Sequence, residues 1–170
     1  MKALVVYDSM YGNTAAVGEA IAVSLRAHGL EVSFGPVTAI GPAEAAGADL
    51  LVIGGPTHAH GMSRTATRKT AAEDEKNAYA HPTGASGLRE WVEGLPADSG
   101  RPAAAFDTRI DKPAILTGSA AKGIAKRLKH HGFCLVREPE SFFVSTDNQL
   151  LENEIDHAAD WGNEVAASMS

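Results

Sequence analysis

Ala3-Leu4-Val5-Val6-Tyr7-Asp8-Ser9-Met10-Tyr11-Gly12-Asn13-Thr14 sets a continuous apolar run against a polar loop that contains one glycine. The run from Ala3 to Tyr7 is what a parallel strand covered by helices on both faces requires. Beyond Thr14 the period changes: Val17, Ile21 and Leu25 recur every four residues, and Gly29 stands where a helix C-terminal cap belongs. Strand, loop and helix therefore follow one another as a βα unit. Ser9, Tyr11, Asn13 and Thr14 bring hydroxyl and amide donors to the loop, and Gly12 lets the chain turn. A helix N-terminus presents unpaired backbone N–H groups and the positive end of the dipole, so a phosphate is the natural occupant. The loop has neither the Gly-Lys-Ser/Thr of a nucleotide-hydrolysing P-loop nor the Gly-x-Gly-x-x-Gly of a dinucleotide fold, which favours a monoester phosphate on a cofactor tail over ATP or NAD.

Working outward, the same alternation repeats. A strand around Val32 to Val37 and a short turn opened by Pro42 lead to Leu50-Leu51-Val52-Ile53, a run that ends at Gly54-Gly55-Pro56. The stretch from about 62 to 86, rich in Ala, Thr and charge, reads as a long, partly helical surface excursion. A short helix over Gly87 to Glu93 turns Leu88, Trp91 and Val92 inward, and Pro102 to Phe106 forms the fourth strand. Ser119 caps a helix with Ile124 and Leu128 on its apolar face and Gly132 at its end. The fifth strand runs over Cys134 to Val136, breaks near Pro139 and resumes at Phe142-Phe143-Val144; a closing helix carries Leu151, Ile155, Ala158 and Val165. Repeated βαβ order implies right-handed parallel crossovers. The 170 residues, 44% of them hydrophobic, fill one core and not two, so residues 1–170 are read as a single domain.

A formal net charge of −6 argues against a nucleic-acid binder or an anionic membrane as partner. Cys134 is the only cysteine, excludes an intrachain disulfide and, beside Phe133, Leu135 and Val136, reads as a buried thiol. With neither a signal peptide nor a membrane span in view, the expected location is the cytoplasm.

Asp8-Ser9-Met10-Tyr11-Gly12-Asn13-Thr14 resembles the phosphate loop of flavodoxins, and the order of elements is similar to theirs over nearly the whole chain. The resemblance implies a doubly wound five-stranded parallel sheet of order 2-1-3-4-5. It also implies FMN as cofactor, redox partner proteins, and Ser9, Met10, Tyr11, Gly12, Asn13 and Thr14 as the phosphate site. Two further loops would border the flavin ring: one after strand three, with Pro56, Thr57, His58 and Gly61, and one after strand four, with Asp107, Thr108 and Arg109. His58 stands where flavodoxins often place a Trp, and no aromatic residue lies between Phe106 and Phe133, where they usually carry a Tyr. At roughly 0.5–1.5 kcal/mol per aromatic pair, that substitution predicts weaker flavin binding. His58, His60, Arg64, Arg68, Lys69, Arg109 and Lys112 outnumber Asp107 and Asp111 around the expected ring. Since a reduced flavin is an anion, a less negative potential for full reduction is expected than in acid-rimmed carriers.

Three rival readings stand beside electron transfer: a non-catalytic module for flavin or deazaflavin storage or delivery, a flavodoxin-like quinone reductase, and a domain that has lost its cofactor. His58 and His60 lack a third ligand for zinc. Ser119 with Asp156-His157 lacks the Gly-x-Ser-x-Gly elbow of a hydrolase. Lys122, Lys126, Arg127 and Lys129 read as the surface of the fourth helix.

Overall fold

β1, Lys2–Tyr7, is buried from Ala3 to Val6 and pairs in parallel on both edges, with β2 (Glu31–Pro36) and with β3 (Leu50–His58). A strand walled by neighbours on both edges and by helices on both faces has no position for a polar side chain, which explains the continuous apolar run. The computed structural model describes residues 1–58, 61–62 and 87–170, with the backbone alone for His58, Gly61 and Met62. Most of the expected excursion, and with it His60, Arg64, Arg68 and Lys69, lies outside the described residues. β4 (Gly61–Met62) folds back antiparallel on the end of β3. β5 (Pro102–Ile110) lies parallel on the far side of β3. The outermost position is shared by β6 (Cys134–Leu135), paired with Pro102 and Ala103, and β7 (Glu140–Val144), paired with Phe106 to Ile110. Five parallel positions in the order 2-1-3-4-5 result, with the expected break in the last.

Alternate residues of each strand feed two cores. On one face Val5, Val52, Ala104, Phe106 and Phe142 pack against α1 (Asn13–Ala27) and the C-terminal α5 (Glu154–Ala167). On the other, Leu4, Val6, Leu51, Ile53, Ala103 and Ala105 meet the 3-10 turn Pro42–Gly47, α2 (Leu88–Glu93) and α4 (Ala120–His130). The remaining helix among the described residues, α3 (Ala114–Thr117), is one turn long and buries no residue. Trp91 and Trp161 are both core residues, 2% and 4% exposed.

Four sequence expectations are corrected. β3 does not stop at Gly54-Gly55-Pro56, and β5 does not stop at Phe106: Gly55 pairs with Asp107 and Pro56 with Thr108, while β7 carries the outer edge of β5 on to Ile110. Pairing partners, and not hydrophobicity, set where a strand ends, so Asp107, Thr108 and Arg109 belong to a strand and not a loop. Cys134 is exposed, because Phe133 takes the inward position and Cys134 begins an edge strand. Leu151 precedes α5 and Ile155 is 42% exposed; the buried stripe of α5 is Ala158, Trp161, Gly162 and Val165.

Candidate functional site

The loop from Asp8 to Gly12 leaves the C-terminal end of β1 and starts α1. Its Asp8, Ser9 and Met10 are buried, and Gly12 takes the left-handed conformation at φ 86°, turning the chain into the helix. The Ser9 hydroxyl accepts the Ala15 N–H at 3.3 Å. Among the described residues no other side chain caps this helix start, and its first turn holds no acidic residue. Thr14, 1% exposed, shares a 2.8 Å hydroxyl-to-hydroxyl hydrogen bond with Thr108 of β5. The Asn13 amide donates to the Asn148 carbonyl at 2.7 Å, which ties the loop after β7 to the start of α1. These residues surround a cavity of about 110 Å³ at the carboxyl ends of β1, β3 and β5.

The start of α4, at the same end of the sheet, is built differently. Asp107, fully buried, turns its carboxylate under this helix: Oδ2 accepts from the Thr57 hydroxyl at 2.9 Å, the Ser119 hydroxyl at 2.7 Å and the Ala121 N–H at 2.9 Å. Thr57 also accepts the Ala120 N–H at 2.8 Å, and the Ser119 hydroxyl accepts from Lys122 N–H as the expected cap. The positive helix end is thus neutralised from inside the protein. Asp107 Oδ1 is buried and has no hydrogen-bond partner among the described residues.

Solved structures share the fold that carries these two helix starts. The chain aligns with a flavodoxin from the domain Archaea at 21% identity and a TM-score of 0.68, covering 98% of this chain and 97% of that one. It aligns over the full length of both chains with oxidised flavodoxin 1 from Bacillus cereus, at 16% identity and a TM-score of 0.73. The chain has a flavodoxin-like fold. The flavodiiron core of Flv1 from Synechocystis is also similar, at 16% identity and a TM-score of 0.67, with 99% of this chain matching 36% of that one. No protein-family model matches the chain, and no curated protein matches it in sequence.

Within this flavodoxin-like fold, Met10, Tyr11, Asn13, Thr14, Pro56, Thr57, Thr108 and Arg109, all singled out in the sequence, line the cavity. Ser9 and Gly12 shape its loop from behind, and the side chain of His58 lies outside the described residues, as does that of Gly61's neighbour His60. Asp107 does not line it, since its carboxylate serves α4. Ile110, Val144 and Asn148 line it without having been foreseen. Asn148 was within reach of the switch-point rule, because Thr146-Asp147-Asn148-Gln149 follows the last strand at its carboxyl end. No hydrolase triad forms: Ser119 is committed to Asp107, while His157 sits against Phe142 between Glu140 and Glu154.

Arg109 is fixed in place. Its Nε donates to Ser141 Oγ at 3.0 Å, Nη1 to the Lys112 carbonyl at 2.6 Å and to Thr117 Oγ1 at 3.3 Å, and its guanidinium lies 4.9 Å above the centre of the Phe143 ring. None of these partners is a carboxylate, so among the described residues the charge is held but not neutralised.

The structural role of Asp107 has a direct test. Asp107→Asn keeps the shape and one acceptor while removing the negative charge from the start of α4, and a drop of about 1 kcal/mol in stability is expected from the lost charge–dipole term. Chemical denaturation measures it; an unchanged midpoint would show that the charge itself contributes nothing.

Proposed function

We propose that this chain is an FMN-binding redox protein that carries electrons between protein partners. The observation that carries the reading is the contrast between two helix starts at one end of the sheet. The start of α4 is filled by the Asp107 carboxylate, whereas among the described residues the Ser9 hydroxyl alone reaches the start of α1 from a side chain, and the Thr14 and Thr108 hydroxyls border it. A phosphate there would be held by the N–H groups at the start of α1 and by Thr14. In the Thr14–Thr108 pair one hydroxyl proton serves the mutual bond, which leaves the other free to donate to an anion.

The cavity is smaller than the roughly 300 Å³ at which pockets enclose cofactor-sized ligands, so it suits the phosphate end of the molecule and leaves the ring at its mouth. Pro56, Thr57, His58, Gly61, Thr108 and Arg109 are the residues proposed to border the ring. FMN supplies the electron chemistry when bound; the chain holds it and sets its surroundings. Arg109, fixed and without a carboxylate partner among the described residues, favours the anionic reduced form by Coulomb attraction.

Titration of the apo-protein with FMN, riboflavin and a 5-deazaflavin, followed by absorbance and flavin fluorescence, tests the reading. FMN is expected to bind at least about 100-fold more tightly than riboflavin, the equivalent of two charge-assisted hydrogen bonds to the phosphate. Equal affinities would remove the phosphate site; binding of the deazaflavin alone would replace electron transfer by storage or delivery.

A further inference from the structure

Residues 109–131 carry six Lys and Arg against one acidic residue, Asp111, while the rest of the chain carries nine against twenty. The fold concentrates this basic segment. Lys122, Lys126 and Lys129 are exposed and fall at i, i+4 and i+7 of α4, so they form one row about 10 Å long at 1.5 Å per residue. Among the described residues none of the three is in an ion pair; the partnered cation of this helix is Arg127, 3.9 Å from Glu93. The helix dipole accounts for cations in the last turn, where Lys129 lies, but it disfavours one in the first turn, where Lys122 lies. Helix stability therefore does not explain the row.

Next to it, α3 projects two apolar side chains, Ile115 at 88% and Leu116 at 63% exposure. Thr117 of the same turn hydrogen-bonds Arg109, which lines the candidate site, and exposed Lys112 flanks the turn on the other side. Lys129, in the last turn of α4, and Arg137, paired with Glu164 at 3.7 Å, border with Glu138 an open groove of about 570 Å³ along β6. An apolar tip set among lysines that have no ion-pair partner among the described residues, beside the candidate cavity, has the make-up of a protein contact: a desolvated anchor with a charged rim.

We propose that the α3–α4 face is the docking surface for a small protein with an acidic contact patch, seated with its apolar centre on Ile115 and Leu116 and its carboxylates on Lys112, Lys122, Lys126 and Lys129. Nucleic acid is the poorer fit, because the remaining twenty acidic residues oppose a long polyanion that runs past this short row. This goes beyond the cofactor reading and does not depend on it, since the surface exists with or without a flavin.

The experiment is backbone NMR of the full chain titrated with an acidic plant-type [2Fe–2S] ferredoxin, with basic cytochrome c and a DNA duplex as the other probes. Ferredoxin is expected to shift or broaden resonances within 112–130 and to bind about tenfold more weakly at physiological salt than at low salt. The triple variant Lys122→Gln/Lys126→Gln/Lys129→Gln is expected to lose about a further tenfold at low salt. Leu116→Ser tests the apolar anchor without touching α4, and is expected to weaken binding with no change in salt dependence. Perturbations elsewhere on the chain, salt-independent binding, or no binding by ferredoxin overturn the proposal. So does a preference for cytochrome c, or DNA binding at α4 in place of ferredoxin.

Discussion

Gly54→Ala is expected to cost about 3 kcal/mol and to lower the melting temperature by roughly 6–12 °C, the upper end for overpacking in a domain of this size. A Cβ on Gly54 would stand 2.0 Å from Cζ and 2.2 and 2.3 Å from the two Cε atoms of Phe106, the residue paired with it across β3 and β5. The Phe106 ring lies flat over its glycine neighbour, and it has no room to retreat. Gly18 of α1 stands so near the ring that a Cβ added to it would lie 3.5 Å from Phe106 Cζ, and Phe142 and Trp161 hold the ring at 6.1 and 6.3 Å between centroids. The consequence reaches the site, because Gly54 O accepts the Asp8 N–H at 3.0 Å and so fixes where the Asp8-to-Gly12 loop leaves the sheet. A smaller side chain opposite, Gly54→Ala with Phe106→Leu, is expected to lose less than the sum of the two single changes. A melting temperature for Gly54→Ala within a degree or two of the parent would show that the ring moves freely.

How legible this was depends on which force sets each feature. Burial on both faces writes itself into composition, so β1, the inner half of β3 and the Val17, Ile21, Leu25 face of α1 could be read directly. Loop chemistry was equally plain where it is local: Gly12 and Ser119 do what their residue types suggest. Features made by neighbours distant in sequence were hidden. The polar ends of β3 and β5 are strands because β7 and each other's backbones pair with them. Asp107 reads as a site residue by position, yet Thr57, fifty residues earlier, and Ser119 draw its carboxylate under α4. Periodicity assigned Ile155 inward, but Trp161, against Phe106 and Phe142, and Gly162, close to Ile21 and Ser24 of α1, set the rotation of α5 and leave Ile155 outside.

Thr14→Ala is expected to shrink the FMN-over-riboflavin preference by about tenfold or more, the worth of one hydrogen bond to a charged group, while leaving riboflavin affinity unchanged. The hydroxyl is nearly inaccessible to solvent and bonded to Thr108, so its position is fixed before any ligand arrives and little ordering cost accompanies binding. Removing it also leaves Thr108, 5% exposed, without that partner, which costs stability whatever the site binds. Thr14→Ser separates the two effects: it restores a hydroxyl at the same place, and both the preference and the stability should return toward the parent. Thr108→Val makes the converse cut, removing the partner but keeping Thr14, and should lower stability with a smaller loss of preference. Calorimetric titration with both flavins reads the affinities and thermal unfolding reads the stability. If Thr14→Ala weakens FMN and riboflavin equally, the hydroxyl pair serves only to hold α1 against β5, and the start of α1 is not where the phosphate sits.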